Sequence, residues 1–133
     1  MESKNKDGCI YSEEERKALV SSYLGKTVRI KIDRPIGYVH KKPGKTLVYP
    51  INYGYIPGVL GGDGEELDVY LLGVDEPVEE FEGRIIGIVY RQNDVEDKLI
   101  MAPAGAAFDK KTIEKQIDFQ EKYYITSVEA LDK

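Results

Sequence analysis

The sequence predicts a mainly β fold: an OB-like, five-stranded Greek-key barrel with a C-terminal helix and an extra N-terminal helix. Three observations predict it. The 133-residue length fits one barrel domain and excludes a TIM barrel or a two-domain dinucleotide enzyme. From Lys26 the apolar period changes from helical to two. About five short apolar runs then follow one another, separated by Gly-, Pro- and Asp-rich turns, before one closing helix. The expected division is a polar leader with an accessory helix over residues 1–25 and the barrel domain over 26–133.

Met1 to Tyr11 is polar and reads as a loose leader. Ser12-Glu13-Glu14-Glu15 is a capping box, with Ser12 at the N-cap and Glu15 three residues on. Ala18, Leu19, Tyr23 and Leu24 give that helix a weak apolar stripe, and Gly25 is its expected stop. Such a helix is expected to be an accessory element or an oligomer contact outside the core. In Thr27–Asp33, Val28, Ile30 and Ile32 face one way while Arg29, Lys31 and Asp33 face the other, as in a half-buried strand. His40-Lys41-Lys42-Pro43-Gly44-Lys45 reads as a basic turn, and Leu47-Val48-Tyr49 as a strand limited by Pro50.

Tyr53 to Gly64 is dense in turn residues. Leu67–Gly73 and the almost wholly apolar Arg84–Tyr90 are strands, and Lys98–Met101 returns after the acidic turn Asn93–Asp97. The last helix opens near Asp109, with Ile113, Ile117 and Tyr124 on its apolar face.

Composition narrows the chemistry. Hydrophobic residues make up 41% and charged residues 32%, enough for a core under a solvated surface, so disorder along most of the chain is not expected. A net charge of −5 counts against general affinity for nucleic acid or an anionic membrane. One Cys (Cys9) and one His (His40) leave no ligand set for zinc, so any metal must be hard and held by oxygen. The single cysteine suits a reducing compartment, no run approaches a membrane span, and MESKNKDG lacks a signal-peptide h-region; cytoplasmic is the expectation.

Asp63-Gly64-Glu65-Glu66-Leu67-Asp68 sets carboxylates where a Gly-rich turn enters a strand. Like charges held so close need a cation or a proton between them, and Mg²⁺ accepts one or two carboxylates plus substrate phosphate. An ordinary acidic turn is the plainer reading, and the spacing fails as an EF-hand. A second acidic set, Asp94-Val95-Glu96-Asp97, precedes Lys98 and is either a solvated hairpin turn or the other half of one rim. Tyr49, Tyr53 and Tyr55 lie close together as barrel packing or as phenols donating to phosphate. Lys41, Lys42 and Lys45 form a cationic turn, and His40 is structural or a hydrogen-bond donor.

Y-P-I-N-Y-G-Y-I-P at 49–57 followed by D-G-E-E-L-D-V at 63–69 resembles the soluble family I inorganic pyrophosphatases, and the similarity runs from about Thr27 to Tyr124. The resemblance implies an OB-like barrel and Mg²⁺-dependent hydrolysis of pyrophosphate to two orthophosphates, usually in homo-oligomers. It implies that Asp63 and Asp68 ligate Mg²⁺, with Asp94 and Glu96 downstream and Asp97 as competitor to Glu96. Glu65 stands where the family has its general base, and Tyr53 matches the tyrosine beside the metals. Tyr49, Lys98 and Tyr123 match phosphate-side residues.

The chain departs from the pattern at four places. Glu65 replaces an aspartate, Tyr124 stands where the family has a lysine, and the N-terminal helix is foreign to the family. The segment before Tyr49 is short and lacks the family's phosphate-binding arginine, so Lys41, Lys42 or Arg34 is expected to substitute. The alternative function is an OB-type module that binds a phosphate compound or partner without turnover.

Overall fold

A computed structural model describes residues 11–92 and 96–131, so the expectations for Cys9 and Asp94 fall outside the described residues. Helix α1 (Glu13–Ser21) opens with the expected capping box: Ser12 Oγ accepts from Glu15 N at 3.0 Å, and Ser12 N donates to Glu15 Oε1 at 2.9 Å. Strand β1 (Thr27–Arg34) keeps the alternation, with Ile30 buried and Arg29, Lys31 and Asp33 exposed. The other strands are β2 (Val39–Lys42), β3 (Lys45–Val48), β4 (Asn52–Leu60), β5 (Glu66–Leu71), β6 (Glu80–Arg91), β7 (Lys98–Ala102) and β8 (Thr126–Ala130), with α2 (Lys110–Glu121) between β7 and β8.

Five strands close a barrel. β1 pairs antiparallel with β4, β4 with β5, β5 parallel with β7, and β7 antiparallel with β6, which returns to β1. The antiparallel β8 extends β6, and β2 and β3 form a separate hairpin. β1 and β4 approach so closely at Gly54 that a Cβ there would collide with the Lys31 carbonyl.

The strands' two faces feed two apolar clusters. All five barrel strands contribute to the first, through Ile30, Ile56, Val69, Ile88 and Leu99, so this cluster fills the barrel. The second lies against α2 and combines Tyr53, Tyr70, Val89 and Ile100 with Ile113 and Ile117. Burial on both faces explains why the runs 69–72 and 85–89 show no alternation.

Four local readings are corrected. Of the turn-dense run Tyr53–Gly64, the part to Leu60 belongs to strand β4; its pairing with β5 is interrupted between Tyr55 and Leu60, where Pro57 and the positive-φ Gly58 sit. The basic segment 40–45 is mostly hairpin rather than turn, with Gly44 at φ +82° reversing the chain. α2 ends at Glu121, so Tyr124 is not on its face; the buried positions are Ile113, Ile117, Gln120 and Glu121. Finally, α1 is part of the core, because Val20, 1% exposed, packs into the barrel cluster.

Candidate functional site

The strand register builds the site. Val69 pairs with Leu99 in the parallel β5–β7 ladder, which brings their predecessors Asp68 and Lys98 side by side. On the other flank of β5, Asp68 is opposite Tyr55, and Tyr53 is opposite Tyr70. Lys98 Nζ lies 2.7 Å from Asp68 Oδ2 and 2.5 Å from Glu96 Oε1, and 5.5 Å from the centre of the Tyr53 ring. Burial alone would lower the Lys98 pKa. The Asp68 and Glu96 carboxylates outweigh it and hold the pKa above the ordinary lysine range, so the side chain stays charged. Tyr53 is pushed up, chiefly by burial, and remains a neutral phenol able to donate.

Two concavities meet at Asp68 and Glu96. The first is a shallow acidic depression lined also by Asp63, Glu66 and Asp97. Asp63 Oδ1 accepts from Glu65 N at 3.0 Å across the positive-φ Gly64, and Glu66 Oε2 accepts from Gly58 N at 2.9 Å. Burial, and then the neighbouring Glu96, raise the Asp63 pKa to about 6. Burial also opposes the Glu96 charge, but Lys98 outweighs it and pulls that carboxyl below its ordinary value. Asp97 is turned elsewhere: its carboxylate accepts from Arg16 Nε at 2.9 Å and from Arg91 N at 3.1 Å.

The second concavity is a cleft of about 190 Å³ whose walls carry Arg34, Lys42, Arg91 and Lys98 beside Tyr53 and Tyr124. It fits a small, highly charged anion, because four cations converge on little apolar surface. Arg91 lies 3.7 Å over the Tyr124 ring, so a cation supplied by β6 stands next to the position where the resemblance places a lysine. His40 also lines the cleft. Its pKa is lowered by burial, then by Arg34 and Lys42, which favours the neutral imidazole.

The structure therefore brings Tyr53, Asp63, Asp68, Glu96 and Lys98 together. It does not bring Lys41, Tyr123, Tyr49 or Glu65 to the lining of either concavity. Lys41 is on the exposed face of β2, whose alternation turns Lys42 inward. Tyr123 is 44% exposed beneath Lys45, Tyr49 is wholly buried, and of the two exposed residues Glu65 and Glu66 it is Glu66 that lines the acidic depression. Sequence reasoning passed over Arg91, Gln120 and Glu121. The signal for Arg91 was a charge ending an apolar strand buried on both faces; nothing local marked the helix residues.

Among the described residues, no three His, Cys, Asp or Glu side chains are gathered closely enough to hold a metal ion. The donor chemistry nonetheless fits a hard divalent cation: the polar side chains lining the acidic depression are all carboxylates, and Asp63 is close enough to Glu96 to retain a proton that a cation would displace.

A family model described as inorganic pyrophosphatase matches residues 21–129. Among curated proteins, the chain is 37% identical over 90 residues to an inorganic pyrophosphatase of Neisseria meningitidis serogroup A, covering 56% of this chain and 50% of that protein. It is 41% identical over 76 residues to one of Saccharolobus solfataricus, covering 55% and 40%. The chain spans about half the length of the curated relatives it matches. The crystal structure of an inorganic pyrophosphatase from Ehrlichia chaffeensis superposes with a TM-score of 0.59 at 18% identity, covering 81% of this chain and 88% of that one, which shows the shared fold.

Proposed function

Because the chain belongs to the inorganic pyrophosphatase family, we propose that it hydrolyses inorganic pyrophosphate to two orthophosphates with Mg²⁺ as cofactor. The observation that carries the reading is the meeting of a carboxylate depression and a cationic cleft at Lys98, Asp68 and Glu96. Asp63, Asp68 and Glu96, with Asp94 from the resemblance, would hold Mg²⁺, which when bound neutralises phosphate oxygens and acidifies water.

The chain's own residues supply the rest. Lys98 Nζ and the Tyr53 hydroxyl donate to oxygens of one phosphoryl group, and Arg34, Lys42 and Arg91 balance the charge of the other. Water would add to one phosphorus as its bond to the bridging oxygen breaks, that oxygen leaving with the second orthophosphate. Glu65, the base implied by the resemblance, lies outside both concavities and would have to turn in to take the water's proton. Glu65 is one methylene longer than the family aspartate, and a displacement of roughly 1 Å can cost about 10²-fold in rate. The functional domain is proposed to run over 26–133, from the change of apolar period at Lys26; the cytoplasm is proposed from the single cysteine and the leader's composition, and a homo-oligomer from the resemblance.

The exposed position of Glu65 favours a second reading, a module that binds a phosphate compound without turnover. Phosphate release from pyrophosphate in Mg²⁺ separates the two. The proposal expects release by the wild-type chain and a fall of about 10²-fold or more in Asp68→Asn and Glu65→Ala. Tight Mg²⁺-dependent binding without release selects the module instead.

A further inference from the structure

Beneath the cleft runs a chain of hydrogen bonds that none of the proposed chemistry uses. Arg34 Nη1 donates to Tyr49 Oη at 2.5 Å, and Tyr49 Oη donates to Gln120 Oε1 at 2.7 Å. Gln120 Nε2 donates to Tyr70 Oη at 2.6 Å, and Tyr70 Oη donates to Glu121 Oε2 at 2.5 Å. From the other side, Arg91 Nε and Nη2 donate to the two Glu121 oxygens at 3.0 and 2.7 Å. The two ends of this chain, Arg34 and Arg91, are both in the cleft wall.

We propose that Tyr49 and the last turn of α2, through Gln120 and Glu121, are positioning residues that aim Arg34 and Arg91 at a phosphate-bearing ligand. The inference rests on the pyrophosphatase reading and deepens it by assigning the support of its phosphate side.

The direction of the bonds makes the argument specific. Every donor points toward Glu121, the sole carboxylate in the chain of bonds. The link between the tyrosines must accept from one hydroxyl and donate to the other, which the Gln120 amide does and neither a carboxylate nor an alkyl group can. Glu121, 4% exposed, receives a bidentate arginine and a phenol, so its charge is met by donors of fixed geometry. Stability alone does not call for this, since a buried ion pair is commonly replaced by apolar residues at no loss. The aromatic rings add a second constraint: the Arg34 guanidinium is 5.5 Å from the centre of Tyr49, 5.6 Å from Tyr53 and 5.8 Å from Tyr38. Tyr49, expected from the resemblance on the phosphate side, thus acts through Arg34 and not by contact.

The test is calorimetric titration of inorganic phosphate and of methylenediphosphonate, in Mg²⁺, into the wild-type chain and its variants, with a melting curve for each. Tyr49→Phe keeps the ring and removes the link; Gln120→Leu removes it from the other side, and Gln120→Glu keeps the size but cannot donate to Tyr70. Each is expected to weaken binding about tenfold, and Tyr49→Phe with Gln120→Leu no more than the worse single change, since both cut one link. Added to Arg34→Ala, Tyr49→Phe is expected to change nothing further. Wild-type affinity in Tyr49→Phe and Gln120→Glu, or an equal loss in the presence and absence of Arg34, would overturn the inference. A wild-type chain that binds neither ligand and releases no phosphate would instead overturn the function on which it rests.

Discussion

Lys98, with its side chain 4% exposed and its ammonium between Asp68 and Glu96, is the cation that lets the carboxylates stand together. Lys98→Met removes that charge. The partner carboxylates are 30% and 28% exposed, so the cost is discounted from that of a fully buried pair to about 2 kcal/mol. Urea unfolding is expected to show this loss without Mg²⁺ and a smaller one with it, because a bound cation supplies part of the missing charge. Asp63 gives a pH dependence. Its pKa in the folded chain is about 6, so the folded chain holds the proton more tightly than the unfolded one, whose value is near 4. That stabilisation is complete below the unfolded value and is lost as pH rises through about 6. Mg²⁺ is therefore expected to displace a proton at pH 5.5 and almost none at pH 8, read by calorimetry in two buffers of different ionisation enthalpy. Asp63, Asp68 and Lys98 were legible in the sequence because a short acidic turn and a charge heading an apolar strand are local features. Glu65 and Glu66 were less so, since which of the two exposed side chains borders the depression depends on how the chain enters β5.

Among the elements, α1 has the role the sequence hid. Its weak stripe indicated an appendage, yet Val20 enters the barrel core and Arg16 reaches 81 positions along the chain to Asp97. That pair turns Asp97 away from the acidic depression's other carboxylates and secures the segment that carries Glu96 and Lys98. Arg16→Ala takes the guanidinium from a buried carboxylate that still accepts from the Arg91 amide, at a cost of about 2–3 kcal/mol. Denaturant unfolding is expected to show that loss together with weaker Mg²⁺ binding; unchanged Mg²⁺ affinity would confine α1 to stability. The capping box was readable because it lies within four residues. The Arg16–Asp97 pair and the α2 contacts to Arg91 were not, being made between elements whose packing no local pattern encodes. Strand β4 was hidden for a different reason: Pro57 and Gly58 look like a turn and instead mark an interruption in a ladder.

At the scale of the molecule, the barrel was legible because period-two patterning, apolar runs and turn residues all agree with one closed sheet. Its closure sets β5 and β7 in parallel, and that adjacency makes the site by placing a carboxylate strand beside a lysine strand. The helix α2 covers the outer cluster, lends Gln120 to the cleft wall and sets Glu121 against Arg91 behind it. Among the described residues no helix is long and apolar enough to cross a membrane. The net charge of −5 is not spread evenly: acidic side chains gather in one depression and cations in the adjoining cleft. The account's central claim is this division of labour. A crystal structure of the chain with Mg²⁺ and methylenediphosphonate tests it most directly. The account predicts metal on Asp63, Asp68 and Glu96 with phosphonate oxygens on Lys98, Arg34 and Lys42; a ligand seated away from the cleft, or metal held by none of those carboxylates, would contradict it.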